Sequence, residues 1–284
     1  SFEGWICDGK GDQFPIHAKI VIDASGVAAV CSKLVKLENE QPLNSKGKVV
    51  AGMQYELTSV PTDGYLDFYI WPEYAEKGYL WMIPKCDGRA NVGLVTEDKP
   101  RAKKALDEFI SNTHFNDLDQ TFPPWKERGS PAFGGTIPIS GPFENTHYDG
   151  LMLIGDAAGF TSPLFEGGSH LALKSAVFAA KTASKSISEG DYTSQILSEY
   201  TRLWRAEFPP YDKILRGKSA LFDLSDDEMS VMAKCFPNEM SNMGISGKAM
   251  VGIKLLLRKP GLYSKKIIPA MLAFGYSRAK YYGW

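Results

Sequence analysis

The chain has 284 residues, 44% hydrophobic and 23% charged with a net charge of −1, the balance of a globular protein large enough for one large domain or two moderate ones. Its four cysteines (Cys7, Cys31, Cys86, Cys235) lie far apart with no CxxC pair, which argues against a zinc or iron–sulfur site and suits a reducing compartment. No apolar run approaches the roughly 18–20 residues that span a bilayer, no signal peptide opens the chain, and no nucleic-acid motif is present.

Taken in chain order, HAKIVIDASG (17–26) reads as one buried strand through Ile20, Val21 and Ile22, ending at Asp23 and a tight Ala-Ser-Gly turn. Four strand-like stretches rich in aromatic and β-branched residues follow: VVAGMQYEL (49–57), LDFYIW (66–71), YLWMIP (79–84) and ANVGLV (90–95). Their connections carry Gly, Pro, Asp and Lys, as in an antiparallel sheet. A helix is expected at about 101–113, with Ala105, Leu106, Phe109 and Ile110 on one face, then a strand at 135–139. LMLIGDAAGFTSPLFEGGSHLALKSA (151–176) reads as strand–loop–helix, the helix running to about Ser188. Beyond Asp191 the pattern is helical, with breaks at Pro209-Pro210, Pro237 and Pro260. From Lys248 onward there are eight Lys/Arg and no Asp/Glu, leaving 24 basic against 33 acidic residues before it. Those basic residues interleave with Leu255-Leu256-Leu257, Ile267-Ile268, Met271-Leu272 and Phe274. The tail reads either as a face that meets a phospholipid surface or as a solvated face of a helical subdomain.

The order implies an α/β fold with an inserted α+β substrate layer. Residues 1–45 and 141–190 form parts of a Rossmann-like FAD/NAD(P)-binding domain, 46–140 an antiparallel-sheet substrate domain, and 191–284 a helical C-terminal region with a basic amphipathic tail. A strand apolar on both faces (Leu151, Met152, Leu153, Ile154) is most simply central in a helix-covered parallel sheet, and such sheets bind ligands at the carboxyl ends of their strands. There Gly155 permits close backbone approach, and Asp156 can accept a hydrogen bond from a sugar-like chain. Ala157, Ala158 and Gly159 leave N–H groups open to a phosphate. The helix mouth at Gly167, Gly168 and Ser169 offers free N–H groups and a positive dipole end. A ligand with polyol, phosphate and an electron-accepting ring fits, and FAD is one. The alternative is a plain strand–turn–helix in which Asp156 caps the helix. No metal site is expected.

GDAAGFTSP followed by EGGSHLALKSA resembles the second FAD-binding motif of the geranylgeranyl reductase family, within the p-hydroxybenzoate hydroxylase-type flavoproteins. KIVIDASG, GYLWMIPKCDGRANVGL and DYTSQILSEYTRLWRAEF are similar to further stretches of that family, in the same order. The likeness covers roughly residues 15–230 and points in particular to the archaeal digeranylgeranylglycerophospholipid reductases. It implies a flavoenzyme that uses FAD to saturate C=C bonds in the geranylgeranyl chains of lipids. In that family's pattern Asp156 would bind the ribityl chain and Ala157 would face the pyrophosphate, while Gly168 and Ser169 would contact the flavin. Ala24, Gly26, Gly155 and Gly167 complete the expected cofactor contacts. Pro163 and Leu164 would lie beside the reactive edge of the ring. Tyr79 and Trp81 would line the prenyl slot, although ordinary sheet packing also accounts for them.

Ile83 stands where the family has an aromatic residue, and Phe165-Glu166 replace small residues before the glycines. Glu166 then reads as a proton donor or, preferably, as a helix cap; His170 reads as a structural residue or a catalytic acid. No GxGxxG follows any strand, Gly9-Lys-Gly11 being the nearest pattern. The first βαβ unit is therefore expected in a preceding segment or a separate chain, unless FAD binding has been lost. The expected partners are a prenylated lipid, a membrane surface reached peripherally from the cytoplasm, and an electron donor such as ferredoxin or NAD(P)H. EGGSHLALKS also resembles flavoprotein–quinone reductases, and a non-catalytic lipid-binding subunit is the third alternative.

Overall fold

A computed structural model describes residues 2–7, 13–33, 49–60, 62–112, 129–237 and 244–277. The chain divides into two compact units, one made of Ser1–Pro42 with Ser140–Trp284, the other of Leu43–Ile139. The Gly9 and Gly11 turn lies outside the described residues.

In the first unit, β1 (Phe2–Cys7) and β2 (Gln13–Ala18) form an antiparallel hairpin. The stretch expected as one strand ending at Asp23 is thus divided between two strands. Ala18 pairs with Phe2, the chain bends at Lys19, and β3 (Val21–Asp23) pairs in parallel with β10 (Leu151–Leu153) of a different sheet. One continuous strand cannot serve two sheets, so the backbone turns between them. β9 (His147–Tyr148) joins β10 on its other side, antiparallel, which makes this sheet mixed where an all-parallel one was expected. All three residues of β10 are fully buried. Ile154 is outside the strand, because the chain tightens there into the 3₁₀ turn Gly155–Ala158.

Helix α2 (Ser169–Glu189) follows, ended by Gly190 in the left-handed conformation. α3 (Ser194–Glu207) packs on β9 and β10, where three of its side chains make buried contacts. Tyr200 Oη donates to the Leu153 carbonyl at 2.6 Å, Trp204 Nε1 donates to Thr146 Oγ1 at 2.8 Å, and the Thr201 hydroxyl lies 3.1 Å from that of Thr146. Pro209-Pro210 separates α3 from α4 (Tyr211–Phe222), and a Ser225–Glu228 capping box starts α5 (Asp226–Cys235). The remaining helices are α6 (Ile245–Arg258), the single turn α7 (Pro260–Leu262), a π-helical turn (Tyr263–Ile267) and α8 (Ile268–Ser277). Ile214, Leu221, Leu255, Leu262, Ile267 and Ala273 form their common core. α4 and α8 cross so closely that a Cβ on Gly217 would overlap that of Ala273.

The second unit is a five-stranded antiparallel sheet in the order β5 (Asp67–Tyr69), β6 (Tyr79–Pro84), β7 (Ala90–Thr96), β4 (Val49–Leu57), β8 (Phe133–Pro138). β5 is shorter than the expected 66–71. The chain turns after it, Tyr74 and Ala75 both donating to the Trp71 carbonyl, and Pro72 has no N–H to extend the ladder. α1 (Ala102–Asn112) covers one face: Ala102, Ala105, Leu106, Phe109 and Ile110 pack on Leu80, Met82, Val92 and Leu94. Burying each large apolar side chain contributes about 1.5–3 kcal/mol, which fixes the strand register through the two-residue side-chain period.

Candidate functional site

In the first unit the carboxyl ends of the parallel strands β3 and β10 lie side by side, and the turns that follow them (Gly26–Ala28 and Gly155–Ala158) pack together. Asp23, 3% exposed, is spent on its own turn: Oδ1 accepts from Ser25 N at 2.9 Å and Oδ2 from Cys31 N at 2.8 Å. Burial, with Asp23 beside it, pushes the Cys31 thiol above its ordinary pKa, so it stays protonated at neutral pH. Ala24 is exposed, and Gly26 has φ +67 with open space where a Cβ would be, so this turn presents backbone to solvent.

The second turn is held from behind. Ser175 on α2 accepts from Gly155 N at 3.0 Å, and a Cβ on Gly155 would lie 3.2 Å from that of Ala172. The Gly155 N–H is therefore engaged by protein, so this residue's use is its φ of +56, which turns the chain toward the helix. Ala157 and Ala158 are fully buried, and a Cβ on Gly159 would overlap the Gly141 carbonyl.

Asp156 is half-buried. Its Oδ1 accepts from Thr161 Oγ1 at 2.9 Å. The same Oδ1 lies 3.2 Å from where a Cβ on Gly168 would stand. The carboxylate and the mouth of α2, twelve residues apart in sequence, thus share one site. Gly168 is the N-cap of α2, with no side-chain cap hydrogen bond. The first-turn N–H groups of a helix have no intrahelical acceptor and carry its positive dipole end. Asp156 therefore sets the site's negative edge and does not cap α2. Ser169 and His170 are exposed in the first turn.

The loop between is shaped by Ser162 N donating to the Gly167 carbonyl at 2.9 Å and by a left-handed Glu166 (φ +51). Pro163 is buried, and Leu164 is fully buried in the core of the C-terminal helices. Leu164 thus turns its side chain into that core and leaves its backbone to the loop. The Glu166 carboxylate pairs with Lys218 Nζ of α4 at 2.7 Å, both side chains under a tenth exposed.

In the second unit, Tyr79 and Trp81 alternate with Leu80 and Met82 and so point away from α1. Strand register puts Phe68, Gln54, Gly52, Gly93, Gly135 and Phe133 on that same face. Tyr79 packs against Trp81 (ring centroids 5.7 Å apart) and Phe68 (5.2 Å), and Trp81 Nε1 donates to Gln54 Oε1 at 3.3 Å. A Cβ on Gly93 would come within 2.5 Å of the Trp81 ring, whereas one on Gly135 would meet nothing within 4 Å. The indole thus lies over Gly93, the side chains of Ile137 and Val95 lie against Gly52, and Gly135 faces open space beside this aromatic wall. The sequence marked the wall but not these glycines, which gave no signal until strand pairing aligned them.

Residues 49–122 match the geranylgeranyl reductase catalytic domain. The chain is 34% identical over 262 residues to the digeranylgeranylglycerophospholipid reductase of Methanocaldococcus jannaschii, covering 90% of this chain and 64% of the relative. The chain is thus similar to members of the geranylgeranyl reductase family. The corresponding reductase of Methanococcus vannielii is 31% identical, covering 91% of this chain and 64% of the relative. The chain therefore spans a little under two thirds of these family members. The fold is that of a solved geranylgeranyl bacteriochlorophyll reductase-like protein from Thermoplasma acidophilum (TM-score 0.74, 24% identity, 94% of this chain and 68% of that one). The family domain match covers β4 to β7 and α1, all in the second unit, while the alignments to the two curated members extend across both.

Proposed function

We propose that this chain is the greater part of a flavin-dependent reductase that saturates C=C bonds in the geranylgeranyl chains of membrane lipids. The observation that carries the proposal is the convergence of Asp156 and the mouth of α2 on one site, in a chain whose curated relatives are named for that reaction. A flavin fits these residues. Asp156 accepts from a ribityl hydroxyl, Gly167, Gly168 and Ser169 turn backbone N–H groups toward the ring, and the turns at Ala24–Gly26 and Gly155–Ala157 approach the phosphates. FAD is the form we infer, its adenosine half held by a GxGxxG segment beyond these residues. The exposed edge at Ile22 of β3 suits a further strand there. When bound and reduced, the flavin supplies the hydride that one alkene carbon accepts. The protein's own part is to hold the chain and keep water out, and the aromatic face of the second unit suits an isoprenoid, with few polar groups to satisfy.

The test is turnover. Purified protein reduced with dithionite, given digeranylgeranylglycerophospholipid, should yield product heavier by two hydrogens per saturated bond, read by mass spectrometry. Flavin oxidation by quinone with no change in lipid mass would transfer the assignment to the quinone-reductase alternative, which the curated relatives do not favour.

We also infer peripheral association with an anionic membrane surface. Met250, Ile253 and Leu257 form a one-sided stripe on α6 that faces solvent, Leu257 79% exposed, while Val251 and Leu255 face the core. Exposed Lys254 and Arg258 run along one side of the stripe, an arrangement that suits an interfacial helix. No described helix is long and apolar enough to cross a membrane. Ile253→Glu with Leu257→Glu should abolish co-sedimentation with anionic vesicles while leaving the flavin spectrum intact. Unchanged sedimentation would reject the assignment.

A further inference from the structure

The buried ion pair Glu166–Lys218 has no place in the flavin motif, yet it closes onto it. Glu166 lies two residues before Gly168, and Lys218 comes from the C-terminal helices, 52 residues away. Around the pair the loop is already seated: Leu164 is fully buried in the core of those helices and Phe165 packs against it. Lys218 Nζ also sits 5.8 Å from the centre of the Phe222 ring, and the preceding Gly217 allows the tight α4–α8 crossing that fixes the height of the lysine. The left-handed φ of +51 at Glu166 is uncommon for a residue with a side chain, and the buried salt bridge supplies a reason for it. Burying one charge alone is costly, so the two are viable only together.

We propose that Glu166 and Lys218 are a positioning pair, through which the C-terminal helices clamp the 163–168 loop and keep the mouth of α2 electrically neutral beside the flavin. Neither touches the reacting atoms. The pair sets the loop's place and cancels the charge of a carboxylate buried two residues before Gly168. This inference rests on the flavin reading given above. An unpaired anion near a flavin disfavours adding electrons, and an unpaired cation favours it.

The experiment measures the flavin midpoint potential and thermal midpoint of the flavin-loaded protein for E166Q, K218M and the E166Q/K218M double variant. K218M should move the potential to more negative values and E166Q to more positive values, with the double variant returning to wild type. Both single variants should melt lower than the double, because each strands one buried charge. A pair with only a structural role would lower the melting temperature and leave the potentials together. Shifts of the same sign, or none in a protein that still binds flavin, overturn the positioning role. Should one single variant fail to fold, the other decides: a potential displaced in the stated direction while the double variant matches wild type upholds mutual cancellation, and one that stays with wild type overturns it. Wild-type protein that binds no flavin at all would instead bring down the flavin assignment, and this role with it.

Discussion

Asp156→Ala is expected to strip the protein of flavin while leaving it folded. The carboxylate is half-buried and gives up one internal hydrogen bond, from Thr161, so the loss to stability should be only about 1 kcal/mol. A hydrogen bond from a ribityl hydroxyl to a charged acceptor is stronger, about 1.5–3 kcal/mol, equivalent to a roughly 10- to 150-fold weaker flavin affinity. Flavin fluorescence titration measures the affinity, and circular dichroism checks the fold. Asp156→Asn retains an acceptor without the charge and should fall between. Full flavin retention in the alanine variant would mean that the carboxylate beside Gly168 serves something else.

Gly93→Ala should damage lipid reduction and spare flavin binding. The added Cβ would come within 2.5–2.6 Å of Trp81 Cζ2 and Cε2 and within 2.6 Å of Gln54 Cβ. The indole must then leave its place over β7 and lose its hydrogen bond to Gln54. Overpacking of this kind costs about 1–3 kcal/mol, and a wall displaced from the chain's path should lower kcat/KM for the prenyl lipid by a similar free energy, roughly 5- to 150-fold. Gly93 and Asp156 belong to different compact units, so the flavin content should not change. Gly135→Ala is the companion variant. Its Cβ meets no protein atom, so the protein should keep its stability and show only a raised KM. Wild-type kinetics in Gly93→Ala would show that the Trp81 face is not where the chain lies.

Much of this was legible in the residues because it is local. The strands at 49–57 and 79–84 fall where aromatic and β-branched composition puts them, and the helix over 102–112 follows its apolar period. Asp156 at a strand end and Gly168 at a helix start are likewise neighbours in one strand–loop–helix unit. The failures share a different cause. Whether residues 17–23 make one strand or two depends on which distant strands, Phe2–Cys7 or Leu151–Leu153, pair with each half. That the carboxylate of Asp23 accepts from Ser25 N and Cys31 N is likewise seen only once the turn is folded.

By itself the sequence determined the family resemblance, the strand–loop–helix that carries Asp156 and the aromatic pair Tyr79 and Trp81, since these rest on residue type and short spacing. Only the tertiary structure decided that Glu166 answers to Lys218, that Leu164 belongs to a helical core, and that glycines of three strands share one face. Each of those depends on elements brought together from far along the chain, and no local period or motif encodes which distant partner will arrive.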